Sequence, residues 1–166
     1  MARLETHLGD ITAETTDAIV NAANSGLARG GGVCGAIFAA AGPGLAEACT
    51  TIGGCPTGDA RATPGFALPA RFIVHAVGPV WQGGGHGEAQ LLASAYRRSL
   101  AVADEVGARS VAFPAISTGI FGYPLADATA VAVATVRATV TDVERVRFVC
   151  FDATTLAAYD RELAKG

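Results

Sequence analysis

The stretch that decides the fold is Val20–Phe38, V-N-A-A-N-S-G-L-A-R-G-G-G-V-C-G-A-I-F. A short apolar run suited to a buried strand, Asp17–Val20 (D-A-I-V), leads into it. Asn is a poor strand residue, so Asn21 and Asn24 mark the strand's end. Consecutive glycines then cost backbone entropy that packing alone does not recover. Apolar periodicity resumes at Val33 and predicts a helix to Ala41. Strand, amides, bare backbone and helix, in that order, describe a loop built to lie against a bulky polar ligand.

Working outward, the same alternation continues. Arg3–Leu8 reads as a first strand, and Gly44–Ile52 as a second short helix beyond the break at Gly42-Pro43. A strand is expected within Asp59–Leu68 and a strong one at Phe72–Val77, ended by Gly78-Pro79. Leu92, Tyr96, Leu100 and Ala103 share one face of a helix over Glu88–Val106, with Gly107 as its C-terminal cap. Ser110–Ile116 is another strand. Pro124 stands where a helix's first residue would, opening an Ala/Val-rich helix to about Val140. Val146–Phe151 is the last strand and a helix to about Leu163 closes the chain. Strands alternating with helices predict an α/β fold with a sheet covered on both faces.

Composition narrows the function. At 166 residues, 51% of them hydrophobic, a single domain over 1–166 with a sizeable core is expected. No run of eighteen or more apolar residues argues for a membrane span, and the opening M-A-R-L-E-T-H-L lacks a signal peptide's apolar region. A net charge of −3 leaves no basic footprint for nucleic acid. The cysteines Cys34, Cys49, Cys55 and Cys150 form no C-x-x-C pair, so they read as free thiols of a cytoplasmic protein, with no metal site.

Gly30, Gly32 and Gly35 satisfy the dinucleotide pattern G-x-G-x-x-G. That motif begins as its strand ends, whereas S-G-L-A-R intervenes here, and no clean second strand carries the expected acid. A Walker loop is excluded because no G-K-[ST] follows. A second glycine loop is more informative. F-P-A-I-S-T-G-I-F-G-Y-P places Ser117, Thr118, Gly119 and Gly122 between a strand and a helix. Both loops leave the carboxyl ends of strands, where open α/β sheets bind ligands. Neither segment holds a Lys, and Arg29 is the one basic residue in Asp17–Phe38. An anion here is therefore held by main-chain amides, which need glycine for close approach.

Together, G-D-I-T at Gly9–Thr12, V-N-A-A-N at Val20–Asn24, G-G-G-V at Gly30–Val33 and A-I-S-T-G-I-F-G at Ala115–Gly122 resemble the macrodomain family. C-P-T-G at Cys55–Gly58, H-A-V-G-P-V-W at His75–Trp81 and V-C-F-D at Val149–Asp152 resemble its MacroD-type branch more narrowly. The resemblance implies a three-layer α/β/α sandwich around a mixed, mostly parallel sheet, with ADP-ribose as ligand and no cofactor. Carried over by position, Asp10 would accept from the adenine amino group beside the Ile11 amide. Phe151 would stack on the base with Asp152 close by. Gly31, Gly32 and Val33 would lie against distal ribose and phosphates. Ser117, Thr118, Gly119, Ile120, Phe121 and Gly122 would wrap the pyrophosphate, with Phe121 packed on the distal ribose. Asn21 and Asn24 would touch that ribose or hold the loop that does, since an amide both donates and accepts. The residues also allow blander readings: Asp10 as a cap, Phe151 as core, each Asn bonded only to its own loop.

The implied activity is removal of mono-ADP-ribose from acidic residues of modified proteins, with deacetylation of O-acetyl-ADP-ribose beside it. Asn21, Asn24, Gly32 and Phe121 are the implied catalytic set. The alternatives are a reader of ADP-ribose without turnover and a phosphatase acting on ADP-ribose 1″-phosphate. One departure bears on mechanism. The branch reads G-G-G-V-D-G-A-I-H where this chain reads G-G-G-V-C-G-A-I-F, so Cys34 replaces an Asp and Phe38 a His. A free thiol, with a pKa of about 8.5, is mostly protonated at neutral pH, and two phosphates oppose a thiolate. Cys34 is therefore expected to pack, and water held between the substrate's α-phosphate and C1″ to attack without a protein base. His75 is expected in the core, His86 in solvent, and Trp81 at the cleft edge or in packing.

Overall fold

The computed structural model describes residues 2–166. It begins with strand β1 (Arg3–Leu8), a 3-10 turn (Ile11–Ala13), β2 (Ala18–Ala23) and helices α1 (Gly32–Ala41) and α2 (Gly44–Ile52). Next come β3 (Ala60–Pro64), β4 (Phe72–Val77), α3 (Glu88–Glu105), β5 (Ser110–Phe113), α4 (Leu125–Ala138), β6 (Arg145–Cys150) and α5 (Ala153–Ala164). The strands form one sheet in the order β1-β6-β5-β2-β4-β3. All neighbours pair in parallel except β3 with β4. The sheet is thus mixed and mostly parallel, and the fold is an α/β/α sandwich.

Alternation along each strand sorts the core into two layers. Val20, Val74, Val111, Phe113, Val146 and Phe148 face α3, α4 and α5, whose Leu92, Tyr96, Leu100, Ala132 and Tyr159 pack in the same cluster. Ile19, Ile73, Val77, Ala112 and Val149 face the other way, onto Ile37, Phe38, Leu45 and Cys49 of α1 and α2. Because both faces are covered, the central strands read as continuous apolar runs. All four cysteines are free and buried. Among the described residues no single helix is long and apolar enough to cross a membrane.

Three boundaries differ from the sequence reading. β5 stops at Phe113 rather than Ile116, because Pro114 has no amide hydrogen for the ladder. β2 does not end at Val20 but runs on to Ala23, so Asn21 lies inside the sheet, in register with His75 of β4. Pro124 is the residue before α4 rather than its first. The carboxyl ends of β1, β6, β5, β2 and β4 point to one side of the molecule, and the loops leaving them enclose a cleft.

Candidate functional site

That cleft has a volume of about 700 Å³. It is lined by Gly9–Ile11 after β1, Ala22–Asn24 and Gly30–Cys34 around the first glycine loop, and Pro114–Phe121 after β5. Ala36, Gly78, Val149, Phe151 and Thr155 complete it. Asp10 and Cys34 are the ionisable side chains among these residues; none is Lys or Arg.

The first loop is closed by a side chain bonded to the loop's own backbone. Asn24 Nδ2 donates to the Ala28 carbonyl at 2.8 Å, and its Oδ1 accepts from the Ala28 amide at 2.9 Å. Asn24 therefore lines the cleft while its amide clamps the loop. Gly32 sits at φ +56°, where a side chain is strained. At Gly35 the constraint is space: a Cβ there would stand 2.6 Å from the Gly30 carbonyl oxygen. No side chain caps α1 at Gly31. The amides of Gly32, Val33 and Cys34 have no acceptor among the described residues, leaving the free N–H groups that a helix start offers an anion.

Asn21 requires a correction. Its side chain is fully buried behind the cleft and does not line it. Nδ2 lies 3.1 Å from His75 Nδ1 and 3.7 Å from Cys34 Sγ. His75 Nε2 is 2.9 Å from Thr63 Oγ1, which donates to the Pro64 carbonyl, so the imidazole donates through Nε2 and accepts at Nδ1. Burial lowers the His75 pKa to about 4 and keeps the ring neutral. Cys34 lies at the cleft wall, its thiol 3.7 Å from the Ala28 carbonyl. Phe38, one turn further along α1, is core.

The second loop is also folded on itself. Thr118 Oγ1 donates to the Ala115 carbonyl at 2.8 Å, Gly122 N to Gly119 O at 2.9 Å and Tyr123 N to Ser117 O at 2.9 Å. These bonds leave the amides of Gly119, Ile120 and Phe121 without an acceptor among the described residues. Gly122 supports the turn at φ +73° and does not line the cleft. Ser117 is buried at φ +68°, an uncommon conformation for a residue with a side chain, and its Oγ has no hydrogen-bond partner. Below the loop, buried Tyr96 donates to the Pro114 carbonyl at 3.3 Å and accepts from the Ile116 amide at 3.2 Å. Ile120 is 85% exposed, yet its Cδ1 lies 3.4 Å from where a Cβ on Gly31 would be, so the loops approach each other across the cleft.

The opposite end is different. Asp10 Oδ1 accepts from Thr12 Oγ1 at 2.7 Å and Thr12 N at 2.9 Å, capping the 3-10 turn. Those bonds hold its carboxyl below the usual range. Phe151 is 75% exposed at the end of β6 and lines the cleft, so it is not core. Asp152 caps α5 through a 2.8 Å bond from the Thr155 amide and stands outside the lining, which Thr155 supplies instead. Trp81 packs on Tyr123 with ring centroids 4.7 Å apart, away from the lining.

Sequence reasoning missed Gly78 and Thr155. A Cβ on Gly78 would fall 2.2 Å from Ser117 Oγ, so this glycine makes room for the second loop. Its signal was its place at the carboxyl end of a strong strand. Thr155 had none beyond following a capping Asp.

The chain is similar to known proteins over most of its length. The family model described as Macro domain matches residues 20–132. The chain is 57% identical over 160 residues to a Macro domain-containing protein of Chlorobaculum tepidum, covering 95% of this chain and 93% of that one. It is 52% identical to the O-acetyl-ADP-ribose deacetylase of Salmonella typhimurium, covering 99% and 96% of the two chains. Among solved structures, the Oceanobacillus iheyensis macrodomain with ADP superposes with a TM-score of 0.93 at 43% identity, over 98% of this chain and 90% of that one. The Trypanosoma brucei macrodomain in complex with ADP-ribose gives 0.88 at 38% identity, over 98% and 69%.

Proposed function

The chain belongs to the Macro domain family, and from that membership we propose that it is an ADP-ribose-binding hydrolase that removes mono-ADP-ribose from acidic residues of modified proteins. O-acetyl-ADP-ribose is a second substrate on this reading, supported by the name of the Salmonella typhimurium relative. The observation that carries the proposal is the pair of unbonded amide sets, Gly32–Cys34 and Gly119–Phe121, whose residues line one cleft that has no Lys or Arg in its lining. Peptide N–H groups fixed in this way bind a diphosphate without reorganising.

In the proposed reaction Asp10 and Phe151 hold the adenine, the two amide sets hold the diphosphate, and the distal ribose lies against Gly31 and Gly32 under Phe121. Water between the α-phosphate and C1″ attacks that carbon as the bond from C1″ to the glutamate or aspartate oxygen breaks. The carboxylate leaves with the bonding pair, and the water's extra proton passes to solvent. The carbon develops oxocarbenium character, so little activation of the water is needed. Positioning does the rest, and its contribution can be large. With the acetylated substrate the same water adds to the acetyl carbonyl carbon and the ester bond to the ribose oxygen breaks. That oxygen takes one of the water's protons, and acetate leaves as the other proton passes to solvent.

A second reading is favoured by one feature: Cys34 is neither a carboxylate nor paired with a base, so the chain is then a reader of ADP-ribose without turnover. Incubating protein modified on glutamate with the chain and following free ADP-ribose separates the two. Release is expected. None at enzyme concentrations matching the substrate, with binding still seen by calorimetry, selects the reader.

A further inference from the structure

On the α1 face of the sheet, β1 and β6 carry charges where their neighbours carry core. Glu5 is in register with Arg147, and Arg3 with Arg145. Strand alternation puts Arg145, Arg147 and Val149 on this face, while Val146, Phe148 and Cys150 turn to the other core. Arg147 uses its whole guanidinium here. Nε donates to Glu14 Oε1 at 2.5 Å, Nη2 to Glu14 Oε2 at 3.3 Å, and Nη1 to Glu5 Oε1 at 3.3 Å. Arg145 Nε also donates to Glu5 Oε1, and His7 Nε2 stands 4.0 Å from Glu14 Oε2.

Glu14 is 8% exposed, too buried for a carboxylate without partners. It is also the residue that closes the 3-10 turn: its amide donates to the Ile11 carbonyl at 3.2 Å. Among the described residues the turn has one further backbone bond, from Ala13 N to Asp10 O at 3.1 Å. A turn so short does not set its own orientation. The forked contact does, because two parallel N–H···O bonds fix direction as well as distance. It ties the turn bearing Asp10 and Ile11 to β6, which carries Val149 and leads into Phe151, and all four of these residues line the cleft.

We propose that Arg147 is a positioning residue for base recognition: by gripping Glu14 it sets the separation between Asp10 and Phe151, and thereby which purine the cleft admits. This rests on the reading of the cleft as an ADP-ribose site. A carboxylate held in place accepts from a 6-amino group and opposes a 6-oxo group. A site built to hydrogen-bond one group rejects the analogue lacking it, but only while the acceptor stays in register.

The test is calorimetric titration of ADP-ribose and of its hypoxanthine analogue, in which 6-oxo replaces 6-amino. Three chains are compared: the unaltered one, Arg147→Lys, and the double variant Glu14→Leu/Arg147→Met. The double variant removes both charges together and so leaves no buried ion unpaired. The unaltered chain is expected to prefer ADP-ribose by at least about tenfold. In both variants, shown folded by circular dichroism and thermal melting, the ratio is expected to fall to within about threefold through weaker ADP-ribose binding alone. A merely structural ion pair would lower both affinities together and keep the ratio. Folded variants that retain the preference overturn this inference by itself. An unaltered chain that binds neither nucleotide overturns the ligand assignment, and this inference with it.

Discussion

At the Asp10 end of the cleft the groups offered to a ligand are side chains: a carboxylate and an exposed aromatic ring on Phe151. At the Gly31 end they are peptide groups, and the polar side chains nearby are turned back on their own loops. Asn24 bonds Ala28 and Thr118 bonds Ala115. Contacts of the first kind are lost one side chain at a time. A surface of the second kind exists only while the loop keeps its path. Substitutions at the two ends should therefore differ in size and in which step they damage.

The largest effect is expected at Gly35, which touches no part of the cleft. Gly35→Ala places a methyl 2.6 Å from a backbone oxygen that has no freedom to rotate away. The first loop must move, and with it the free amides of Gly32–Cys34. ADP-ribose affinity by calorimetry should fall at least about 100-fold in a chain that still melts cooperatively. Affinity within a few-fold of the unaltered chain would break the comparison, since the loop path would then not be the site.

Asn24→Ala comes next. The change removes both bonds that close the loop on Ala28 while leaving the glycines free to approximate their path. Turnover should drop roughly 100-fold, with binding reduced much less, because attack at C1″ depends on geometry more steeply than the grip on phosphate does. An unchanged rate would remove Asn24 from the working end.

At the other end, Asp10→Ala should weaken ADP-ribose binding about tenfold, combining the lost adenine acceptor with the lost cap on the turn. The maximal rate should change little, since in the proposed reaction the scissile bond lies at the far end of the substrate. A fall in rate at saturating substrate, with affinity intact, would show that the two ends do not divide binding from turnover as proposed.

The same contrast explains what was legible in the sequence. Glycine and loop position announce a main-chain site, because Gly30–Gly32 and Gly119 have few other reasons to cluster, and the alternation of strands and helices gave the layered fold. Side-chain partners were harder. Asn21 looks like the end of a strand until β4 lies beside β2 and pairs it with His75. Glu88 could be read only as the start of a helix. In the fold its carboxylate collects the amides of Gln82, Gly84 and His86 and pins a loop that composition alone would call mobile. Burial pushes its pKa up, but those amides outweigh burial and bring it to about 2. Arg147 and Glu14 are 133 residues apart, and nothing local links them.

The smallest effect is expected at Cys34, although it lies in the cleft wall. Its thiol meets Asn21 Nδ2 and the Ala28 carbonyl at 3.7 Å each, long contacts that fill space more than they bind. Cys34→Ala removes one small buried sulfur and leaves Asn21 bonded to His75, at a cost of about 1 kcal/mol, or roughly 2–4 °C in melting temperature. If the main-chain end works by holding ribose and water in place, turnover should stay within about threefold, because no proton moves through this side chain. A loss of 100-fold or more is instead what removing a general base produces. Such a loss would mean that the main-chain end has one side chain at its chemical centre, and the contrast between the two ends would fail where the reaction takes place.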